Sequence, residues 1–242
     1  MIRHVYLDTE FDPRNPTLTG LLSIGLTDDA IPAADYYAVN TDADLDTLVD
    51  HAFITEHVLP YLPVKLTRWS DGSVAQITWD TEHPDYQQFG RSAAQIAEEV
   101  ASYFPGETEP ELLANWGKDD LGYLHRLYGN EWGAMPAGVP RLFTDLEVLR
   151  RQLGAPQPPV QLADEHHALA DARFNRDFHT CLLRFQELQA VGTEELAERL
   201  HAAQDRDPDW AVLPEEQRTH HRQAAGALLD HYQVRYRPED RG

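Results

Sequence analysis

An α/β fold, with a mixed sheet flanked by helices and a helical C-terminal extension, is predicted by three observations on this sequence. Strand-like runs come first, at 4–11, 20–27 and 34–40. Helical and strand patterns then alternate to about residue 190. Beyond about 192 the pattern is helical and charged, and includes Trp210, Tyr232 and Tyr236. Strands followed by helix–strand alternation indicate one sheet with mixed pairing. The 242 residues accommodate one large domain, or one of about 180 residues with an appendage. We draw the division at 190, with a domain over 1–190 and an extension over 191–242.

The run His4-Val5-Tyr6-Leu7-Asp8-Thr9-Glu10-Phe11 is apolar, β-branched and aromatic, the pattern of a strand in which side chains two apart share a face. With 20–27 and 34–40 it forms a meander joined by short polar turns. Residues 45–62 read as a helix with Leu45, Leu48, Phe53 and Val58 on one side, ended by prolines. A hairpin follows, 64–69 and 74–79 around Ser70-Asp71-Gly72-Ser73, because Asp-Gly is a strong turn signal. Its apolar face takes Val64, Leu66, Ala75, Ile77 and Trp79. Trp69 falls opposite with Lys65 and Thr67, as a stacking surface for a base or as an ordinary partly exposed tryptophan. Residues 91–104 form an amphipathic helix, 112–116 a fourth strand, 120–128 a helix and 141–144 a fifth strand, with a helix to about 153. Gly154-Ala155-Pro156-Gln157-Pro158-Pro159 is a stiff linker. A long helix over 167–190 carries the stripe Phe174, Phe178, Cys181, Phe185 and Leu188.

Composition narrows the function. Forty-one acidic residues against twenty Lys and Arg give a net charge of −21, which argues against gripping nucleic acid through a broad basic face. Bound cations invert a local field, so phosphodiester chemistry through metal ions stays open. Cys181 is the single cysteine, which excludes an internal disulfide or a cysteine-based zinc cluster. Neither a secretory signal nor a run long enough to span a membrane is present, so a cytoplasmic location with no membrane partner is expected. The C-terminal extension packs on the domain or on a partner, and a homodimer is among the arrangements this leaves open.

Asp8 and Glu10 project side by side from the first strand and repel each other. A divalent cation resolves that conflict, and hard oxygen ligands suit Mg²⁺ or Mn²⁺. Stepping back three from Phe174 lands on Asp171, an acid at the head of a buried stripe, which is costly unless paired or metal-bound. Asp120 aligns with Leu124, Leu127 and Tyr128 and points inward, whereas Asp119 suits an N-cap. Two histidines precede Asp171. Helical geometry favours His167, four residues before it; a helix beginning near 167 instead leaves His166 on a loop that can swing over the site. The pattern alone leaves both open.

Taken together, Asp8, Glu10, Asp120, His166 and Asp171 resemble the DEDDh 3′–5′ exonucleases of the RNase H-like fold. Their first motif is Asp-x-Glu on the first strand, here Asp8-Thr9-Glu10. The second is Asp at a helix start with an apolar residue four later, here Asp120 and Leu124. The third is His-x-x-x-x-Asp, a spacing that selects His166. Leu22-Ser23-Ile24-Gly25, Tyr37-Ala38-Val39, Gly138-Val139-Pro140-Arg141 and Asp171-Ala172-Arg173-Phe174-Asn175 are similar to the small bacterial exoribonuclease family related to RNase T, whose members prefer adenylate. The resemblance covers residues 1–190; the hairpin, the segment after 192 and the Lys118-Asp119 pair before Asp120 depart from it.

The resemblance implies an RNase H-like five-stranded sheet and two-metal hydrolysis of single-stranded RNA from its 3′ end, releasing nucleoside 5′-monophosphates. It implies that Asp8, Glu10, Asp120 and Asp171 hold two Mg²⁺ or Mn²⁺ ions and that His166 takes a proton from the attacking water. Phe11, directly after the first motif, is the candidate wall beneath the terminal base, with a core role as the alternative. Competing readings are a DNA exonuclease, a nuclease for very short oligonucleotides, which the acidic surface suits, and a non-catalytic RNA-binding scaffold.

Overall fold

A computed structural model describes residues 2–106, 110–190, 193–203 and 210–232. Tyr236 and the side chains of Leu188 and Tyr232 lie outside the described residues. The chain divides into two compact units: Met1–Leu146 with Gln161–Arg176, and Glu147–Val160 with Asp177–Gly242.

The first unit opens with the meander β1 (His4–Phe11), β2 (Leu21–Asp28) and β3 (Tyr36–Asn40). Next comes the hairpin β4 (Val64–Arg68) and β5 (Val74–Trp79), then the short α1 (Pro84–Phe89), β6 (Gly90–Arg91) and α2 (Ala93–Tyr103). A Ser92–Gln95 capping box starts α2, satisfying backbone N–H groups that the helix leaves free. The unit continues with β7 (Glu111–Ala114), α3 (Lys118–Arg126) and β8 (Thr144–Asp145). The sheet order is β6-β3-β2-β1-β7-β8. The meander pairs antiparallel, and β7, β8 and β6 join parallel. Without the two-residue β6 the sheet has the five strands and the mixed pairing expected. The extra strand was invisible in sequence because two residues carry no periodicity.

One cluster, including Val5, Leu7, Ile24, Ile96, Val100, Leu112 and Leu124, joins the sheet to α2 and α3. A second gathers Leu22, Val39, Leu48, Ile54, Val58, Leu62 and Ile77. Here the expected helix over 45–62 is corrected. The segment breaks into 3-10 turns at Leu45–Leu48 and Leu59–Tyr61 around a π-helical turn at Ile54–Val58. That break turns Ile54 inward and leaves Phe53 half exposed. The hairpin forms its own two-stranded sheet, in which Leu66 pairs with buried Ile77 on the apolar face yet stays 36% exposed.

α4 (Leu146–Gln152) starts at the boundary, and α5 (Ala168–Ala190) runs from the first unit into the second. Phe178, Cys181 and Phe185 of its stripe are buried; Phe174 is only partly so. The second unit also holds α6 (Thr193–Ala203) and α7 (Glu215–Tyr232). Ala197, Trp210, Leu213 and Ala225 form a small core there, and Arg222 bridges Glu194 and Glu215. Among the described residues no helix is long and apolar enough to cross a membrane.

Candidate active site

Alternation along β1 sends Asp8 and Glu10 to one face and Thr9 to the other. Asp8 lies opposite Gly25 of β2. A Cβ at Gly25 would come within 2.4 Å of the Ala168 carbonyl, so only glycine lets the start of α5 rest on the strand. Asn175, one turn beyond Asp171, donates through Nδ2 to the Leu7 carbonyl at 3.1 Å and ties the same helix to β1. Asp171, in the first turn of α5, is thereby delivered to Glu10. Oxygens of Glu10 and Asp171 and a ring nitrogen of His166 all lie within 4.8 Å of one another.

Asp171 is fixed from two sides. Gln161 Nε2 donates to its Oδ1 at 2.5 Å, and the His166 backbone N–H donates to its Oδ2 at 2.9 Å. His166 adopts φ = 70°, a left-handed conformation uncommon outside glycine and enriched where function holds strain. Its ring lies edge-on to Phe53, with centroids 4.9 Å apart, and 5.9 Å from the His57 ring. His167 has other surroundings. It stacks on Tyr37 at 4.4 Å with the edge of Tyr61 nearby, and burial depresses its pKa.

Asp120 arrives from the other side of β1. It sits buried in the first turn of α3, where Oδ1 accepts the Thr9 backbone N–H at 2.8 Å and the Thr9 hydroxyl at 2.6 Å. The middle residue of Asp-Thr-Glu thus anchors the acid contributed from elsewhere in the chain. Asp119 is not the N-cap: Gly117 holds that position without a side-chain bond, and Asp119 lies exposed in the first turn, where it favours the helix dipole. Phe11 is half-buried, its ring 5.0 Å from that of Tyr123 on α3. Part of it stays accessible to solvent.

The electrostatics draw the four acids into one system. Burial raises the Asp8 pKa well above the usual carboxylate range, and Asp120, Glu10 and Asp171 push it further. Glu10 is pushed up to about 8 by burial and by the charges of Asp171 and Asp120. Burial raises Asp120 to about 6 against the two Thr9 hydrogen bonds that favour its charged form. Asp171 rises by burial, opposed by Gln161 and the His166 N–H. Four carboxylates this close do not all ionise near neutrality without a compensating cation. The donor set, mostly hard oxygens with one imidazole and no thiol, fits a divalent metal.

Thr9, Gln161, Phe53 and Gly25 are the site-building residues whose roles pattern reading did not assign. Phe53 follows the helical stripe of 45–62 in the sequence, but the turn at Ile54–Val58 brings its ring to His166 instead. Gly25 stood within a motif, but its close approach to Ala168 links segments far apart in sequence.

No family model matches the chain. Two Mycobacterium tuberculosis proteins, one from each of two strains and both named 3′–5′ exoribonuclease, are 32% identical to it over 174 residues. That alignment spans 71% of this chain and 88% of each relative. Among solved structures the chain is similar to exonuclease I, at 12% identity and a TM-score of 0.48, over 81% of this chain and 45% of that protein. The chain spans less than half of exonuclease I, and the fold assignment rests on sheet order instead.

Proposed function

The chain belongs to the 3′–5′ exoribonuclease family, and from that premise we propose that it removes nucleoside 5′-monophosphates one at a time from the 3′ end of single-stranded RNA, with a preference for adenylate. The observation that carries this reading is the gathering of Glu10 and Asp171 beside His166, with Asp8 and Asp120 coupled to them by charge and all four carboxylate pKa values raised. A non-catalytic scaffold has no use for that arrangement, since unshielded carboxylates destabilise the fold that holds them.

In this proposal Asp8, Glu10, Asp120 and Asp171 hold a pair of Mg²⁺ or Mn²⁺ ions. The ions supply charge stabilisation for the attacking and leaving oxygens of the phosphodiester. His166, on its loop beside Glu10 and Asp171, takes the proton of the attacking water. Gln161 and the His166 N–H set the direction of the Asp171 carboxylate, and Thr9 sets that of Asp120. Phe11, partly exposed and packed on Tyr123, is the proposed wall beneath the terminal base. We assign catalysis to 1–190 and treat 191–242 as an extension, in a cytoplasmic enzyme. Every proposed site residue lies in the first compact unit.

The test is hydrolysis of 5′-labelled RNA, DNA and dinucleotides with and without EDTA, then with Mg²⁺ or Mn²⁺ restored. Activity should vanish with the metal and return with it. Asp8→Asn, which removes charge with little change of shape, should stay folded and inactive. Near-normal turnover by folded Asp8→Asn protein would overturn the two-metal assignment. The acidic surface also favours very short oligonucleotides as substrates, and the dinucleotide arm reads that directly.

A further inference from the structure

We infer that the β4–β5 hairpin is an RNA-binding arm, stacking a base upstream of the 3′ end on Trp69 and pairing the adjoining phosphates with Arg68 and Lys65. This rests on the exoribonuclease reading of the acidic site and extends it to a surface outside the motifs that carry the family resemblance.

The arm is anchored beside a turn that borders the proposed site. Ile77, on the inner side of the hairpin, is buried in one cluster with Ile54, Val58 and Leu62. Phe53, next to Ile54, meets the His166 ring. The turn that supports the hairpin therefore also borders the proposed catalytic histidine.

The chemistry of the tip suits a single strand. The Trp69 side chain is 65% exposed and has no aromatic or cationic ring partner among the described residues. Its backbone is nonetheless held: Trp69 N–H donates to the Ser73 carbonyl, and Gly72, at φ = 87°, returns an N–H to the Trp69 carbonyl. A large apolar ring presented on an ordered turn is a stacking platform that every base can use. Arg68, the preceding residue in the chain, donates to the Gly72 carbonyl at 2.9 Å and has no carboxylate partner among the described residues, in a chain with 41 acids. Lys65, one of only two lysines, is exposed and pairs with the partly buried Asp80 at 2.8 Å, a contact for which a phosphate can compete. Thr67, Gln76 and Thr78 are exposed and neutral. Asp71, at the turn, directs its carboxylate to Ser73.

The experiment compares full-length wild type, Trp69→Ala and Arg68→Ala on 5′-labelled RNAs of two, five and about ten nucleotides. Both substituted side chains are exposed, so folding should be unaffected. On the longest substrate Trp69→Ala should lower kcat/KM by roughly 5- to 100-fold, the worth of one stacked base, and leave dinucleotide cleavage unchanged. Arg68→Ala should flatten the salt dependence on the long substrate by about 0.7 in log–log slope. Equal activity of wild type and Trp69→Ala at every length overturns the proposal. So does a loss on dinucleotides as large as on the ten-mer, which would mean that Trp69 serves the fold, and so does an unchanged salt slope for Arg68→Ala. If wild type cleaves no RNA of any length, the exoribonuclease reading fails and the arm with it; wild-type cleavage with a silent hairpin fails the arm alone.

Discussion

His166 and His167 are adjacent in the chain and opposite in environment, and single substitutions should separate them. His166 borders Glu10 and Asp171, whereas His167 is partly buried and stacked on Tyr37. His166→Ala should lower turnover by roughly 10²- to 10⁴-fold, the usual contribution of general acid–base catalysis, with unchanged melting. His167→Ala should act mainly on stability; the reverse ranking in kcat would reassign the base. Glu10 makes a second prediction at this scale. Its folded pKa of about 8 lies above its ordinary 4.5, so the metal-free folded state binds a proton more tightly than the unfolded chain. That contribution to stability is complete below about pH 4.5 and is lost as pH rises through about 8. EDTA-treated protein should therefore lose melting temperature between pH 5 and 8. Glu10→Gln should flatten that decline and raise Tm at pH 8 by at least ~2 °C, the effect of about 1 kcal/mol in a chain of this size. A flat wild-type profile would mean that the carboxylates do not repel as their burial implies.

At the scale of elements, the site depends on how closely α5 approaches β2. Gly25→Ala places a methyl 2.4 Å from the Ala168 backbone, where no flexible side chain can yield. The helix start must shift, and Asp171 and His166 with it. We expect a destabilisation of about 1–3 kcal/mol, as for overpacked cores, and a fall in kcat larger than stability alone explains. Wild-type turnover by Gly25→Ala protein would show that this contact does not set the geometry. The same element shows what a sequence discloses. Asp8, Glu10 and Asp171 were legible because a period of two on a strand, or a step of three on a helix, places an acid against an apolar pattern. Asp120 was legible for the same reason, but the Thr9 bonds that hold it span more than a hundred residues and leave no local trace. The meander, the hairpin, α2 and α5 followed from patterning. The segment over 45–62 did not: its apolar residues suit a helix, yet cooperative burial of Ile54 favours a π turn that local propensity cannot express.

For the whole molecule the governing quantity is charge. A protein at −21 cannot follow an RNA backbone through a long basic track, so few counterions should be released on binding. If one to three phosphates are neutralised, log affinity for an oligonucleotide should fall with log salt at a slope of about −1 to −2. A slope steeper than about −4 would reveal a basic surface that the composition argues against. Affinity must then come mainly from stacking, at the last nucleotides and on the hairpin, and from contact with the 2′-hydroxyl, the group by which a protein tells RNA from DNA. Discrimination should consequently be sharp at the 3′ end and indifferent to sequence further upstream. Matched time courses on oligo(A), oligo(U), oligo(C) and oligo(dA) at one ionic strength measure this directly. Oligo(A) should be degraded fastest and oligo(dA) far more slowly. Equal rates on oligo(A) and oligo(dA) reject the ribonuclease reading, because the sugar then contributes nothing. Equal rates on the three RNAs reject only the adenylate preference and leave the chemistry of the four acids and His166 in place.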